Sequence, residues 1–395
     1  MTRNSKSGKN NKYFDIPRTS LQKQSLGEAY GPAFIFEADL LLQAASALSL
    51  LEAGYTVTVI SEHLPHDRSL SYTSPWAGAI WGPSWDTSDE ELRQWDRDIV
   101  KCWGEMVDDR PDEAKLAGVH ASRNPVWKGP QYRENPPKEF ERDNVEELLW
   151  FREITTVTIL STSDLPPGVK FGLKFSSFCV NSPIYLSYIS SRIESLGGTI
   201  IQSVLESDSG LSGLVKDAAS KLKVEAQDYV FVNALGMGAM KLVPDDKMFP
   251  TRGKTVYVEG EAKNITARLG DWGLAYVIPR RGSGYTLLGG SQEAGNWNGE
   301  PDTNLTASIL KNCAKLAPEL LDENNCFKVI SRQVGLRPSR TGGVRLEAEI
   351  VEMGDLVEVD VIHCYGHGGG GYEKSITSGK KVVQLVDCIN NRAKA

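Results

Sequence analysis

The stretch from Ala33 to Ile60 narrows the choice of fold more than any other part of the chain. It opens on the apolar run Ala33-Phe34-Ile35-Phe36 and continues through a Leu- and Ala-rich segment, residues 38–53. Past Gly54 it reaches Tyr55-Thr56-Val57-Thr58-Val59-Ile60. Leu and Ala lose little freedom in a helix, and a glycine at the end supplies the left-handed residue that stops one. A run that is β-branched or apolar at nearly every position reads as a strand covered on both faces, the habit of parallel sheets. Strand, helix and strand together predict the opening unit of a Rossmann-like sheet.

The rest of the chain supports a second unit. Residues 183–196 read as a helix, with Pro183 in the first turn and Gly197-Gly198 at the end. Tyr229-Val230-Phe231-Val232 reads as another strand, running into Asn233-Ala234-Leu235-Gly236. Residues 254–258, 275–278 and 285–288 read as antiparallel strands, and 301–320 as helical. A last strand near 357–362 enters the glycine run 366–371, and 380–391 has helical spacing. Residues 83–150 carry several Trp and many charges in a mixed helical pattern, with a turn-rich region at 123–137; residues 1–30 read as a loose tail. No internal repeat is visible. This pattern predicts a parallel-sheet nucleotide domain built from both ends of the chain, with an antiparallel-sheet domain inserted.

Composition bounds the function. The 395 residues suggest two or three domains at about 150 residues each. With 40% hydrophobic and 24% charged residues, global disorder is excluded. Lys plus Arg is 44 against 51 for Asp plus Glu, a formal charge of −7, whereas a nucleic-acid-coating protein leans the other way. No apolar run approaches the roughly 20 residues of a membrane span. The polar, basic N-terminus shows no secretory signal. Six scattered cysteines without a CxxC pair read as reduced and intracellular. His363 and His367 lie in glycine-rich sequence with no nearby acid, so no metal site is expected.

Three local features point to chemistry. Glu62 directly follows the strand at 56–60, where a dinucleotide fold places an acid against a ribose; an ordinary surface acid is the other reading. The run Gly366-His367-Gly368-Gly369-Gly370-Gly371 suits close approach of a phosphate or flat ring to the backbone, and a disordered loop is its alternative. Gly335-Leu336-Arg337-Pro338-Ser339-Arg340-Thr341-Gly342-Gly343 sets two arginines in a stiff segment. There an arginine fork can take a carboxylate, or make a surface salt bridge.

Read together, several runs resemble the D-amino-acid oxidase and D-aspartate oxidase family of FAD enzymes in its fungal form. They are Val57-Thr58-Val59-Ile60-Ser61-Glu62-His63-Leu64-Pro65, Tyr72-Thr73-Ser74-Pro75-Trp76-Ala77-Gly78-Ala79-Ile80-Trp81, Arg252-Gly253-Lys254-Thr255-Val256, Ala275-Tyr276-Val277-Ile278-Pro279-Arg280 and Leu288-Gly289-Gly290. The arginine segment 334–345 and the loop 365–371 complete a resemblance that runs from about residue 44 to 390. It implies an α/β fold: a Rossmann-like FAD-binding domain (31–82, 151–235 and 331–395) with an inserted antiparallel-sheet substrate domain (83–150 and 236–330). The implied chemistry is hydride removal from the α-carbon of a D-amino acid to flavin N5. The imino acid hydrolyses, and dioxygen reoxidises the flavin to give hydrogen peroxide. By position, Arg337 resembles the arginine that clamps the substrate carboxylate and Tyr276 the tyrosine that bonds it. Glu62, Ser74, Ala77, Gly78, Ala79, Gly368, Gly369, Gly370, Gly371 and Glu373 fall where the family binds FAD, with Trp76 and Trp81 as packing. Glu373 replaces a glutamine, Gln292 a tyrosine, Leu235 a threonine and Ile376 an aromatic residue. D-amino acid and dioxygen are the implied partners, without nucleic acid or membrane, and a homodimer is compatible.

The largest departure is at the start. The family's Gly-x-Gly-x-x-Gly should fall at 38, 40 and 43, but the chain has Ala38, Leu40 and Gln43. The missing glycines would make the turn, admit the pyrophosphate and let the helix pack on the strand; Asp39 would add repulsion. A wrongly joined segment before Ala44 gives this abrupt boundary, and so does loss of FAD affinity in a silent homologue. A D-aspartate oxidase is the other alternative and needs one more cation, for which Arg268, Arg280 and Arg281 are candidates. The terminal Ala393-Lys394-Ala395 resembles a peroxisomal tripeptide without the leucine, which makes the peroxisome the first expectation and the cytoplasm the second.

Overall fold

The computed structural model describes residues 33–37, 40–83, 88–122, 129–134, 149–206, 208–243, 245–354 and 357–394. The tail expected at 1–30, most of the turn-rich region at 123–137, and Ala38, Asp39 and Ala395 lie outside the described residues.

The expected strand–helix–strand unit is present. Ala33–Glu37 runs parallel to Val57–Ser61, with Phe34 opposite Thr58 and Ile35 opposite Val59. The helix Leu40–Glu52 between them buries Leu41, Leu42, Ala44, Ala45, Ala47 and Leu50. It ends as its composition suggests. Gly54 takes φ +96°, and the Tyr55 and Gly54 amides donate back to the Leu50 and Leu51 carbonyls at 3.0 Å each.

Across the first sheet the strands follow the order Arg345–Glu352, Glu358–Tyr365, Val230–Asn233, Ala33–Glu37, Val57–Ser61 and Thr199–Gln202. All neighbours are parallel except the Arg345–Glu352 edge strand. The chain runs outward from Ala33–Glu37 on one side and resumes on the other. This is the switch point at which open α/β sheets form a ligand crevice.

The second sheet has nine strands. Its long pair at one edge, Met248–Glu259 and Val329–Arg340, is antiparallel, with Thr251 opposite Arg337 and Gly253 opposite Gly335. Tyr285–Gly289, Gly273–Arg280 and Thr266–Gly270 extend it as an antiparallel meander. Gly129–Arg133, Phe171–Phe175 and Val157–Ile159 complete that side. Sheet membership therefore divides the chain differently from the ranges expected above. The strands Val157–Ile159 and Phe171–Phe175 and residues 331–340 belong to this second sheet, although the ranges above put them with the Rossmann-like part. Val329–Arg340 contains Gly335 and Pro338, which interrupt the strand pattern and hid a twelve-residue strand.

Two further boundaries moved. The glycine run is a short 3₁₀ turn, Gly368–Gly370, that passes directly into the last helix, Gly371–Lys394, so this helix starts well before residue 380. The helix expected over 301–320 is Thr303–Ala314, capped by the Asp302 carboxylate accepting from the Leu305 amide at 2.9 Å. It is followed by a separate turn, Pro318–Leu320.

The first and last helices cross closely because Gly379 has no side chain: a Cβ there would stand 2.8 Å from the Ala45 carbonyl oxygen. Gly379→Val should force the helices apart and lower stability by about 1–3 kcal/mol. Urea denaturation with an unshifted midpoint would show that the crossing is loose.

Candidate active site

A cavity of about 410 Å³ opens between the two sheets, with Tyr276 and Arg337 on one wall and residues 73–80 and the glycine run on the others. Arg337 belongs to the long strand Val329–Arg340, and its guanidinium lies flat over Gly253 of the paired strand. A Cβ on Gly253 would stand 2.5 Å from Cζ. Nη1 donates to the Ser291 carbonyl at 3.1 Å. Among the described residues no carboxylate lies within ion-pair distance of Arg337, so the cavity carries one uncompensated positive charge.

Tyr276 stands on Gly273–Arg280, opposite Gly289. Its ring fills the space that Gly289 and Gly290 leave, and a Cβ on Gly290 would meet Cζ at 2.7 Å. The Arg337 guanidinium stands beside its hydroxyl. Burial pushes the phenol above its ordinary range against the opposing pull of Arg337, which keeps it a neutral donor. The structure thus brings together the two residues that the resemblance named for the carboxylate.

The loop at 73–80 forms the facing wall and includes Ser74, Ala77, Gly78 and Ala79. It is held by the protein on several sides. Arg280 donates to the Gly78 carbonyl at 3.0 Å and to the carbonyls of Ala77 and Val180. Ser182 Oγ donates to Ala77 O at 3.0 Å, Tyr372 OH to Ser74 O at 3.2 Å and Thr73 Oγ1 to Leu336 O at 2.6 Å. Ala79 has φ +48°, an unfavourable region for a residue with a Cβ. Its carbonyl is fixed by the Val180 amide at 2.7 Å. Trp76 lines the cavity, whereas Trp81 is fully buried, with Nε1 donating to Asp96 at 2.9 Å.

Gly368, Gly369, Gly371 and Glu373 also line the cavity. Gly370 does not; it turns toward Lys374, whose Cε would be 3.0 Å from a Cβ there. Glu62 is an exposed residue just past Val57–Ser61 and outside the cavity lining, with its carboxylate 3.9 Å from His63 Nε2. His367 was expected only as a poor metal ligand and proves to be part of the cavity wall. Its Nε2 bonds Ser378 Oγ at 2.8 Å, and among the described residues its buried Nδ1 has no hydrogen-bond partner. Burial brings its pKa down to about 3, so the ring is neutral. His363, which the sequence left without an acid, meets Glu349 at 3.0 Å across the strand pair and Asn233 at 3.0 Å. That is a buried structural network. Nothing in the sequence marks the apolar lining residues Ala267, Leu274 and Ile278.

The fit to FAD differs between the two ends of the cavity. The glycine run, the orphan His367 Nδ1 and the Arg337–Tyr276 pair suit a flat polar ring system beside a small carboxylate. Toward the first helix the lining is apolar, through Leu41 and Leu42. Gln43, at the third glycine position, does not prevent helix–strand packing as its bulk suggested. It is fully buried and its Nε2 donates to the Ile60 carbonyl at 3.3 Å, tying the helix to the neighbouring strand.

A parallel sheet with a crevice at its switch point, beside an antiparallel sheet that presents an arginine and a tyrosine, is the architecture of a dinucleotide-cofactor oxidoreductase. The chain belongs to the FAD dependent oxidoreductase (DAO) family, whose model matches residues 44–385. The match begins directly after Gln43, so the three glycine-loop positions fall outside it. The chain is 31% identical over 356 residues to a D-amino-acid oxidase of Fusarium vanettenii, covering 87% of this chain and 92% of that one. It is also 31% identical over 345 residues to a D-aspartate oxidase of Talaromyces thermophilus, covering 84% and 86%. Among solved structures, glycine oxidase from Geobacillus kaustophilus superposes with a TM-score of 0.66 at 17% identity, over 91% of this chain and 95% of that one. This last likeness is one of fold.

Gly253→Ala should push the Arg337 guanidinium off its seat. Affinity for a small carboxylate, measured by calorimetry, is expected to fall about tenfold, the loss of one good charge-assisted contact. Equal affinity in both proteins would mean that Arg337 does not hold the ligand.

Proposed function

We propose that this protein oxidises neutral D-amino acids with FAD and dioxygen. Each turnover consumes one D-amino acid, one dioxygen and one water, and releases one 2-oxo acid, one ammonia and one hydrogen peroxide. The observation that carries this reading is the unpaired Arg337 beside Tyr276 in the cavity wall.

Bound FAD supplies the two-electron acceptor, and the chain's own residues supply position. The Arg337 fork pairs with the substrate carboxylate, and the neutral Tyr276 hydroxyl donates to the same group. Two fixed contacts on one carboxylate set where the α-carbon stands, which is the main service a protein can offer when the cofactor does the chemistry. Ala267, Leu274 and Ile278 offer the substrate side chain an apolar wall.

The same cavity favours neutral over acidic substrates. Identity does not separate the two, since both fungal relatives stand at 31%. The three arginines that could have met a second carboxylate are engaged elsewhere. Arg268 is paired with Glu134 at 2.7 Å and donates to Pro167 O at 3.0 Å. Arg280 is buried and spent on the 73–80 loop. Arg281 donates to Ala262 O at 2.8 Å and pairs with Glu261 at 3.4 Å. Among the described residues lining the cavity, Arg337 is the sole cation and Glu373 adds an acid. Peroxide release, a homodimer and a peroxisomal setting belong to this proposal through the family resemblance.

A silent homologue is the second reading, favoured by Ala38, Leu40 and Gln43 in place of glycines. Flavin content of the purified chain separates the two. Near one FAD retained after dialysis supports the oxidase, and none retained by a folded sample supports the silent reading.

For the enzyme, oxygen uptake should be faster with D-alanine than with D-aspartate and absent with L-alanine. Arg337→Lys should lower kcat/KM for D-alanine about 10–100-fold, because a lysine cannot reproduce two parallel hydrogen bonds worth about 1.5–3 kcal/mol. Faster turnover of D-aspartate would refute the neutral preference.

A further inference from the structure

Two buried cations flank the seat of Arg337 and have no task in the reading above. Arg252 and Lys254 stand on either side of Gly253 in the strand Met248–Glu259, at 2% and 0% exposure. Side chains alternate across a strand, so both leave the face opposite to the one on which the Arg337 guanidinium covers Gly253. A buried charge is costly unless its donors find acceptors. Here one segment, residues 291–302, supplies them.

All three guanidinium nitrogens of Arg252 donate into that segment. Nε reaches the Asn298 carbonyl at 2.6 Å, Nη2 the Glu300 carbonyl at 2.6 Å and Nη1 the Glu293 carboxylate at 2.5 Å. Lys254 holds the two ends: its amide donates to Ser291 Oγ at 3.0 Å, and its ammonium donates to the Asp302 carbonyl. Other forces on the segment are weak. Gln292, Ala294, Trp297, Asn298 and Glu300 are exposed, so it buries little apolar surface, and its ladder to Thr251 and Arg252 spans only Glu293 and Ala294. The two cations therefore decide where it lies.

The segment in turn serves the cavity. The Ser291 carbonyl accepts from Arg337 Nη1 at 3.1 Å, and Gln292 lines the cavity next to it. An arginine fork takes a carboxylate through two parallel bonds only when its plane is set, and Ser291 helps to set it.

We propose that Arg252 is a positioning residue for the substrate. Through residues 291–302 it holds the Ser291 carbonyl that orients the Arg337 fork, so loosening it weakens substrate binding while FAD stays bound. The proposal rests on the reading of Arg337 as the carboxylate clamp. Among the described residues, the Arg252 guanidinium directs its hydrogen bonds to 293–300, not to the walls at 73–80 and 368–373.

The test is oxygen uptake by the full-length, FAD-loaded protein over a range of D-alanine concentrations, with flavin content measured on the same samples. Arg252→Met removes all three donors. Its KM should rise about tenfold, the scale of one charge-assisted hydrogen bond, with kcat within about twofold of wild type and unchanged flavin per chain. Arg252→Lys keeps the charge without the planar fork and should show a smaller rise. Gly379→Val, which loosens the crossing of the first and last helices, should keep the wild-type KM and so separates positioning from general destabilisation. An unchanged KM in Arg252→Met, a fall in kcat alone, or an equal KM rise in Gly379→Val overturns the proposal. If Arg252→Met does not fold, Arg252→Lys decides, and a wild-type KM there overturns it. No D-alanine turnover by the wild type is a different failure: it removes the oxidase reading itself, and this inference with it.

Discussion

An arginine with no carboxylate within ion-pair distance among the described residues shapes the cavity wall of this molecule. Removing an ion from water costs several kcal/mol unless another charge or a set of hydrogen bonds compensates, so an unpaired guanidinium in a protein wall calls for a reason. Arg337 faces a cavity that admits water or a ligand, which limits the cost and leaves the charge available. The surrounding sequence is shaped to allow this. Gly253 and Gly335 sit opposite each other on the two long strands, and the guanidinium occupies the volume that a side chain on Gly253 would need. Gly289 and Gly290 do the same for Tyr276. Two polar groups are placed side by side by glycines that leave room for them.

Arg280 shows the opposite use of the same side chain. Fully buried, it is satisfied by the carbonyls of Ala77, Gly78 and Val180 and the Tyr257 hydroxyl at 3.2 Å, and so fixes the loop that walls the cavity. Because its donors are consumed there, it cannot serve as a second anion site. One arginine confers structure and the other, on the proposed reading, binding, and the difference lies in which backbone carbonyls are within reach. On the proposed reading the neutral substrate preference follows from that division, because among the described residues lining the cavity one cation matches one carboxylate.

Much of this was legible in the sequence, for identifiable reasons. The first helix and strand were readable because Leu, Ala and β-branched residues fall in uninterrupted runs, and Gly54 marks the stop. Arg337 and Tyr276 were located by resemblance, and the structure brings them together. The strand carrying Arg337 was not readable, since Gly335 and Pro338 interrupt it and it is defined by pairing with Met248–Glu259, far away in sequence. The start of the last helix was hidden by four glycines, which have poor helix propensity. There the packing of Tyr372, Ser375 and Ser378 into the core overrides local preference. Arg280 looked like a substrate ligand because sequence does not reveal which carbonyls surround a side chain.

The first helix separates two properties that usually travel together. Its packing depends on Leu41, Ala44, Ala45, Ala47 and Leu50, all buried, and on Gln43 reaching the Ile60 carbonyl. Contact with a pyrophosphate depends on positions 38, 40 and 43, where no glycine stands. The chain thus retains the helix, the sheet and the switch point while changing the residues that meet phosphate. Hydrogen bonds to a charged group are worth about 1.5–3 kcal/mol each, so losing even one or two weakens cofactor affinity by one to several orders of magnitude. On the proposed reading, FAD bound here is held chiefly from the ring end, where the glycine turn and His367 line the cavity. The residues at that end would then carry more of the binding free energy than they would behind an intact glycine loop.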